Sequence, residues 1–244
     1  MAALLISDLH IDASRPAIIE QFLEFLAADA RDADALYILG DLFETWIGDD
    51  AADPAQAAAI AGLHSLTSHG VPCFVMHGNR DFLLAAQFCR MSGALLLPDP
   101  LIVTLYGEPV LVMHGDALCS DDRAYQRLRA TVREPDWQRQ FLALSIASRR
   151  ALAGAARVGS QAHTAAMEYA ITDVNADSVA IALRRAGTAT LLHGHTHRPA
   201  IHALRVDGRR CTRIVLGDWY DQGSLLRWDH NGPELRSLPR AQGL

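Results

Sequence analysis

The apolar positions of this chain follow two patterns that alternate from its N-terminus. Short apolar runs of strand length cover residues 2–6, 35–39 and 71–76. Between them, residues 16–30 carry apolar side chains at helical spacing, and residues 54–68 have the composition of an alanine-rich helix. This alternation predicts strand–helix units with a largely parallel sheet, in which ligands bind beyond the carboxyl ends of the strands.

Further strand-like runs follow in the second half of the chain. Two strands flank a turn at Gly107 and Glu108, the second covering residues 109–113, and others cover residues 190–192 and 213–216. We expect the closely spaced later strands to be antiparallel, and residues 82–91 to form a helix. The predicted fold class is α/β, in layers, with a sandwich of two mixed β-sheets flanked by helices.

The strand pattern stops between residues 120 and 177, where apolar residues recur at helical spacing. We therefore predict a helical cap, residues 120–177, inserted into a core of residues 1–119 and 178–244. Eight arginines and four acidic residues give its first part, residues 120–160, a local charge of +4. Its apolar stripe suits either core packing or a lipid groove, and carries Trp137, Phe141 and Leu144.

The amino-acid composition argues against several classes of function. The chain has 244 residues, 50% of them hydrophobic, and a net charge of -6, which argues against a general nucleic-acid binder. All 22 basic residues are arginine, so Schiff-base and lysine general-base chemistry are excluded. Its scattered cysteines indicate a reducing, cytoplasmic setting, and we expect neither a signal peptide nor a membrane span.

Five apolar runs break at a glycine flanked by Asp, Asn or His. Residues i and i+2 of a strand face the same side, so His195 and His197 can converge on one object. Taken alone, such a pair fits two surface histidines in a polar turn equally well. Asp8 and His10 repeat the spacing, however, and the other strand ends supply further ligand types. The candidate metal ligands are Asp8, His10, Asp41, Asn79, His114, His195 and His197.

Three oxygen donors and four imidazoles suit two metal ions in one site. This mixture fits manganese, iron or zinc better than magnesium or calcium. Paired ions of this kind clamp the attacking and leaving oxygens of a displacement at phosphorus. Asp41, lying between the early and late ligands, is the expected bridging carboxylate.

The strand-end motifs together resemble the signature of the calcineurin-like metallophosphoesterases. They occur in the order Asp8-x-His10, Gly40-Asp41, Gly78-Asn79-Arg80-Asp81, His114-Gly115-Asp116 and Gly194-His195-Thr196-His197. The residues around them are similar to the UDP-2,3-diacylglucosamine pyrophosphohydrolase family, notably in Ser7-Asp8-Leu9-His10, residues 40–50, 76–84 and 114–122, and Asp173-Val174-Asn175.

This resemblance implies an enzyme that cleaves UDP-2,3-diacylglucosamine to UMP and 2,3-diacylglucosamine 1-phosphate (lipid X) in lipid A biosynthesis. It implies two Mn²⁺ ions, or other divalent ions, whose shared hydroxide attacks the UMP phosphorus. It also implies a cytoplasmic protein peripherally attached to the inner membrane. We expect no nucleic-acid partner and no obligate protein partner.

Physical chemistry predicts the catalytic roles around the metals, and the resemblance implies the substrate contacts. Asn79, Arg80 and His195 are the expected catalytic residues, with His195 either a metal ligand or the acid that protonates the leaving oxygen. The expected substrate contacts are Asn79, Arg80, Asp122, Ser160, Thr164, Met167 and His195. Thr164 and Met167 stand where family members commonly have Asn and Lys, so head-group binding differs here. For Arg80, a salt bridge with Asp81 is the structural alternative.

Two other functions compete with this interpretation. A metallophosphoesterase of the same fold can act on a soluble nucleotide or phosphoprotein, in which case the cap would be polar. An inactive binding scaffold of this fold would be expected to lack ligands, whereas all seven are present. For the lipid substrate, we expect cap and core to form an acyl cleft, with the basic cap helices touching anionic lipid.

Overall fold

Two β-sheets lie face to face at the centre of the structure, a computed structural model that describes residues 1–166 and 173–239, with side chains up to residue 157 and again from residue 173. The first sheet has the strand order β11-β10-β1-β2-β3-β4. Strands β1 to β4 are parallel, and the last two strands add to β1 as an antiparallel hairpin. Its strands are β1 (Ala3–Ile6), β2 (Ala35–Ile38), β3 (Cys73–Met76), β4 (Leu95–Leu97), β10 (Gly223–Asp229) and β11 (Gly232–Leu238).

The second sheet has the order β5-β6-β7-β9-β8. Its three central strands β6, β7 and β9 are parallel, and each edge strand pairs antiparallel with its neighbour. The strands are β5 (Leu101–Leu105), β6 (Glu108–Met113), β7 (Thr190–His193), β8 (Ala200–Val206) and β9 (Arg209–Val215). The predicted sandwich of two mixed sheets is confirmed.

Helices cover the outer faces of both sheets. The helices are α1 (Pro16–Ala27), α2 (Pro54–Ser68), α3 (Ala86–Ser92), α4 (Arg123–Val132), α5 (Pro135–Leu142), α6 (Ile146–Ala166) and α7 (Ala176–Ala186). Helices α1, α2 and α3 pack on the first sheet, and α7 packs on the second through Val179 and Leu183. The layer order is therefore helix, sheet, sheet, helix.

The alternation of side chains along each strand builds this layering. Ala3 and Leu5 of β1 point into the space between the sheets, whereas Leu4 and Ile6 point to the helices. Successive side chains of a strand face opposite sides, so a strand covered on both faces is apolar throughout. That is why the runs read as continuous apolar segments in the sequence.

Helices α4, α5 and α6 lie in the predicted cap. Trp137 and Phe141 of α5 stack on each other with ring centroids 5.0 Å apart, and Trp137 also contacts Phe82 of the core. Phe141 is buried in the core cluster, whereas Leu144 is 40% exposed. The first two residues of the stripe therefore serve core packing.

One local prediction needs correction, and one strand was not predicted. The helix expected over residues 82–91 begins only at Ala86, because the Asp49 carboxylate accepts the backbone N–H groups of Ala85, Gln87 and Phe88 and caps it there. A cap supplied from a distant loop leaves no signal in the helix's own sequence. The short strand β4, which pairs parallel with β3, was not predicted.

The expectation that the later strands are antiparallel is wrong for β7. This strand runs parallel to both β6 and β9. The long helical connection between β6 and β7 gives the chain enough length to return in the same direction. Strand β8 lies at the sheet edge, so β9 is the parallel neighbour of β7.

The predicted boundary of the cap at residue 177 lies within α7, which packs on the second sheet through Val179 and Leu183. The division into a core and an inserted cap stays a prediction. Over the part of the chain that the structure describes, no helix combines the length and apolar character that a bilayer span requires.

Leu192 lies in β7 between the two sheets and is completely buried. We expect Leu192→Ala to lower the free energy of unfolding by about 2–5 kcal/mol, because a cavity between two sheets cannot collapse fully. The matched control is Leu152→Ala, at a side chain that is 52% exposed, where the change should stay within about 0.5 kcal/mol. Urea denaturation followed by circular dichroism measures both, and equal losses would contradict the packing described.

Candidate active site and metal centre

All seven predicted ligands meet at one edge of the sandwich, where the strand ends of the two sheets come together. Backbone hydrogen bonds hold the loops in place: His10 N–H donates to the Asp41 carbonyl (3.0 Å) and Gly194 N–H to the His114 carbonyl (2.9 Å). The ligands follow β1 (Asp8, His10), β2 (Asp41), β3 (Asn79), β6 (His114) and β7 (His195, His197). Parallel strands place their carboxyl ends at one edge, which explains the convergence.

Five of these residues adopt left-handed backbone angles. Each non-glycine residue in this conformation costs roughly 1–2 kcal/mol. In the described chain only Tyr106 and Asp207 share it among non-glycine residues, and both lie outside the site. The φ angles are 56° for Asp8, 51° for His10, 52° for Asp41, 67° for His195 and 55° for His197. Strain that is concentrated in this way marks a functional site.

One half of the centre is built from Asp8, His10 and His197. The Nε2 atoms of the two histidines face each other at 3.2 Å. Each Nδ1 atom faces a carboxylate, Glu44 Oε2 at 3.2 Å for His10 and Asp218 Oδ2 at 3.1 Å for His197. Because a carboxylate only accepts, Nδ1 carries the hydrogen of a neutral ring, and the two Nε2 lone pairs then point at each other.

Asp8 adds a third acceptor to this half. Its Oδ2 accepts from the Ser7 hydroxyl and from the His195 backbone N–H, whereas its buried Oδ1 has no hydrogen-bond partner among the described residues. This Oδ1 lies 3.4 Å from His197 Nε2 and 3.9 Å from His10 Nε2. Three acceptors around one point require a cation.

The other half contains Asp41, Asn79, His114 and His195. His114 Nδ1 donates to the Leu39 carbonyl (2.9 Å), which directs Nε2 into the site at 2.9 Å from Asn79 Oδ1. The same Asn79 oxygen lies 3.0 Å from His195 Nδ1. Asp41 Oδ2 is 3.8 Å from both His10 Nε2 and His114 Nε2, the position expected of a bridging carboxylate.

These donors fit two adjacent divalent ions. The sets Asp8, His10, His197 and Asp8, Asp41, His114 each offer ligand atoms within 4.8 Å of one another. The unpartnered Asp8 oxygen and the opposed imidazole nitrogens have the donor chemistry of metal ligands. Carboxylate, carboxamide and imidazole donors suit borderline divalent metals.

Gly78 shows how tightly the centre is packed. A Cβ atom at this position would lie 2.0 Å from Asp41 Oδ1 and 2.2 Å from the Asp41 nitrogen. That carboxylate oxygen also accepts the Arg80 backbone N–H at 2.8 Å. Only glycine lets the loop after β3 approach Asp41 closely enough to orient it.

Sequence reasoning missed the residues that contact the metal ligands and orient them. Asp218 supports His197, and Glu44 supports His10 while also accepting from Arg15 at 2.7 Å. Tyr220 stacks on His10 with ring centroids 5.2 Å apart. Asp218 carried a usable signal, since it follows an apolar run and a glycine as Asp41 does. Such outer partners orient imidazole ligands and strengthen metal binding.

The carboxylates around His197 favour positive charge in the half of the centre that contains Asp8. Burial alone would lower the pKa of His197, but the nearby carboxylates of Asp218 and Asp8 raise it to about 10. Burial would raise the pKa of Asp8, yet His197 holds it well below its usual range. Burial and the neighbouring His114 lower the pKa of His195 to about 4. A cation beside Asp8 is therefore stabilised, whether it is a proton or a metal ion.

The structure describes the surroundings of two of the predicted substrate contacts, Arg80 and Asp122. The Asp81 carboxylate accepts backbone N–H groups from Gly78 and Leu42, both at 2.8 Å, so it holds the loops together rather than binding Arg80. Asp122 caps α4 by accepting the Tyr125 backbone N–H at 2.9 Å. Substrate contact by either residue stays a prediction.

Three other predicted substrate contacts cannot be placed. Ser160 and Thr164 belong to α6, where their side chains lie outside the described part of the chain. Met167 lies outside the described residues altogether. Their roles stay predictions.

Helix α4 is joined to the loop after β6, because its side chains donate to the buried carboxylate of Asp116 in that loop. Oδ2 of Asp116 accepts from the Tyr125 hydroxyl (2.6 Å) and from Arg129 Nε (2.7 Å). The Tyr125 ring stacks on His195, and Arg133 donates to the Gly78 carbonyl at 2.9 Å. Two cap arginines therefore bind the cap to the metal centre.

Comparison with known proteins identifies the family of this chain. The calcineurin-like phosphoesterase family model matches residues 1–199. A UDP-2,3-diacylglucosamine hydrolase of Stenotrophomonas maltophilia (strain R551-3) is 53% identical over 98% of this chain and 100% of its own. The enzyme of that name from Xanthomonas axonopodis pv. citri (strain 306) is 51% identical over 98% and 99%. The chain belongs to the UDP-2,3-diacylglucosamine hydrolase family of calcineurin-like phosphoesterases.

More distant similarity extends to solved structures. An archaeal phosphodiesterase superposes with a TM-score of 0.48 at 12% identity, covering 98% of this chain and 99% of that one. Within the calcineurin-like phosphoesterase family, the two ligand sets described here are the feature that makes this chain a metal-dependent hydrolase.

Asp218→Asn tests the support behind His197. Replacing the carboxylate weakens the hold on Nδ1–H, so we expect the affinity for divalent metal to fall about 10–100-fold. Calorimetric titration of the metal-free protein with Mn²⁺ measures it directly, without reference to activity. The control is Asp221→Asn on the same loop, which should bind metal like the wild type. Equal affinities in the two variants would mean that Asp218 does not orient the ligand.

Proposed function

We propose that the protein hydrolyses the pyrophosphate bond of UDP-2,3-diacylglucosamine to UMP and 2,3-diacylglucosamine 1-phosphate, a step of lipid A biosynthesis. The observation that carries this proposal is the convergence of seven candidate metal ligands in a chain about half identical to hydrolases of that name. A phosphoanhydride needs charge neutralisation and an activated water, and little else from a protein.

Each residue of the centre has a separate role in the proposed reaction. Two divalent ions held here would neutralise phosphoryl oxygens and lower the pKa of a bound water. Asn79 orients a phosphoryl oxygen, since its carboxamide lies between His114 and His195. Arg80, half-buried beside Asp41, donates to the developing charge through its planar guanidinium. His195 serves as a ligand, with its Nδ1 directed at Asn79.

Manganese is the metal that we propose for both positions. Mixed carboxylate and imidazole donors favour Mn²⁺ over Mg²⁺ or Ca²⁺. Zinc also binds carboxylate and imidazole donors, so the choice of Mn²⁺ over Zn²⁺ follows the family resemblance. Supporting carboxylates such as Glu44 and Asp218 raise the basicity of the imidazole ligands.

The cap supplies the apolar surface that two acyl chains require. Its described helices and the turns between them expose five large aliphatic side chains, Leu128, Leu142, Leu144, Ile146 and Leu152. We propose that cap and core enclose an acyl cleft beside the metals. A soluble nucleotide or phosphoprotein substrate, the competing alternative, would gain nothing from such a surface.

We further propose peripheral attachment to the cytoplasmic face of the inner membrane. Arg129 and Arg133 are committed to Asp116 and Gly78, which leaves other cap arginines to meet anionic lipid. Arg123, Arg127 and Arg150 are exposed on the same helices as the aliphatic side chains. Basic and apolar groups on one element are typical of proteins that bind membrane surfaces.

Incubation of Mn²⁺-loaded protein with UDP-2,3-diacylglucosamine should release UMP, and exhaustive chelation should stop it. Asp41→Ala removes the carboxylate shared by both halves and should lower kcat/KM by more than about a hundredfold. Asp207→Ala, in an exposed ion pair with Arg184, is the control and should retain activity. Turnover of bis-adenosyl tetraphosphate without turnover of the lipid would make a soluble nucleotide the substrate.

Charge reversal tests membrane attachment. Changing Arg123, Arg127 and Arg150 to Glu should weaken binding to vesicles that contain anionic lipid by at least about tenfold in a sedimentation assay. The control makes the same change in charge at Arg205, Arg209 and Arg210 on the β8–β9 hairpin, where binding should persist. Equal binding by both triple variants would contradict attachment through the cap.

A further inference from the structure

A recess next to the metal centre is not used by the chemistry described above. It has a volume of about 350 Å³ and lies between the loop after β9 and the β10–β11 hairpin. Both His197 and its supporting Asp218 line the recess, so the recess begins at the metal centre itself. Its remaining polar side chains include Asp221, Gln222 and Ser237.

We propose that this recess binds the nucleoside of the substrate, a uridine if the function proposed above is correct. A nucleoside diphosphate sugar has two arms that leave the phosphates in different directions. Helix α4 lies on the His195 side of the centre, where the Tyr125 ring stacks. The recess lies on the His197 side. Phosphates bound at the metals then direct the lipid arm to the cap and the nucleoside into the recess.

The charge of the recess favours an uncharged group over a phosphate. Asp218 and Asp221 give it carboxylates, and its one arginine, Arg236, is paired with Glu234 at 2.5 Å. An anion entering the recess would be repelled, whereas a neutral base with a ribose diol would not. The exposed Asp221 carboxylate can accept both ribose hydroxyls, as acidic residues do in other nucleotide sites.

The shape and hydrogen-bonding groups of the recess also suit a pyrimidine. Gly217 and Gly223 contribute bare backbone to its lining. The Gln222 carboxamide donates to Ser237 Oγ at 3.3 Å, which leaves its carbonyl and a second N–H available. A donor beside an acceptor matches the imide edge of uracil, which presents an N–H between two carbonyls. The volume lies at the small end of ligand pockets.

Binding of UMP and of inorganic phosphate to the Mn²⁺-loaded protein, measured by calorimetry, tests the proposal. Gln222→Ala and Asp221→Asn should each weaken UMP binding about tenfold, the loss of one good hydrogen bond. Phosphate, which needs only the metals, should bind both variants within about twofold of the wild type. His230→Ala, at the opposite end of the same hairpin, is the control and should bind UMP normally.

The outcomes separate this proposal from the function on which it rests. Unchanged UMP affinity in both variants overturns the nucleoside site, and so does an equal loss of UMP and phosphate affinity, which would mean damage to the metal centre. Selective loss of UMP affinity supports it. If that selective loss occurs in a protein that does not cleave UDP-2,3-diacylglucosamine, the recess is a nucleoside site and the proposed substrate is wrong.

A kinetic measurement provides a second test. The KM of each recess variant for UDP-2,3-diacylglucosamine should rise about tenfold, with a smaller change in kcat, because the lost contact is made in the ground state and the transition state alike. A fall in kcat at unchanged KM would overturn a binding role for the recess.

Discussion

A group of acceptors without a donor, two of them buried and the third partly buried, is the constraint on which this structure depends. His10 Nε2, His197 Nε2 and Asp8 Oδ1 lie within 3.9 Å of one another. Such a group is costly in a low-dielectric interior unless a cation joins it. The raised pKa of His197 reflects this requirement, because a proton is the smallest cation that satisfies it. Metal binding and folding are therefore thermodynamically linked, and divalent ions should stabilise the native state.

The two-sheet architecture is what holds these acceptors together. Each sheet contributes one part of the ligand set, the first through Asp8, His10, Asp41 and Asn79 and the second through His114, His195 and His197. Residues such as Leu5 and Leu192 pack between the sheets and keep the two strand edges in register. That packing offsets the backbone strain at five ligands, which no isolated loop would sustain.

The cap is joined to the centre by charge as well as by apolar packing. Arg157 of α6 contacts Glu44, the carboxylate behind His10, at 3.3 Å, and Arg149 forms a bidentate pair with Asp50. Arg129 and Arg133 converge on Asp116. The positive charge of the cap therefore has two uses, since part of it orients the cap over the metals and part remains on the surface.

The sequence by itself determined the ligand set and the layered fold. Apolar runs that end in glycine and a polar residue carry both signals locally, because strand burial and strand-end chemistry are properties of adjacent residues. Asp8, His10 and the His195–His197 pair were recognisable for that reason. The substrate could be predicted only from the resemblance to a known family, because residue spacing carries no information about it.

Only the tertiary structure decided which groups support the ligands. Asp218, in the loop after β9, contacts His197 in the loop after β7. Glu44 contacts His10 from the loop after β2, and Asp49 of that same loop caps α3. The parallel direction of β7 likewise follows from how far its helical connection carries the chain. These are contacts between distant segments, and their energies depend on the folded geometry rather than on any neighbouring residue.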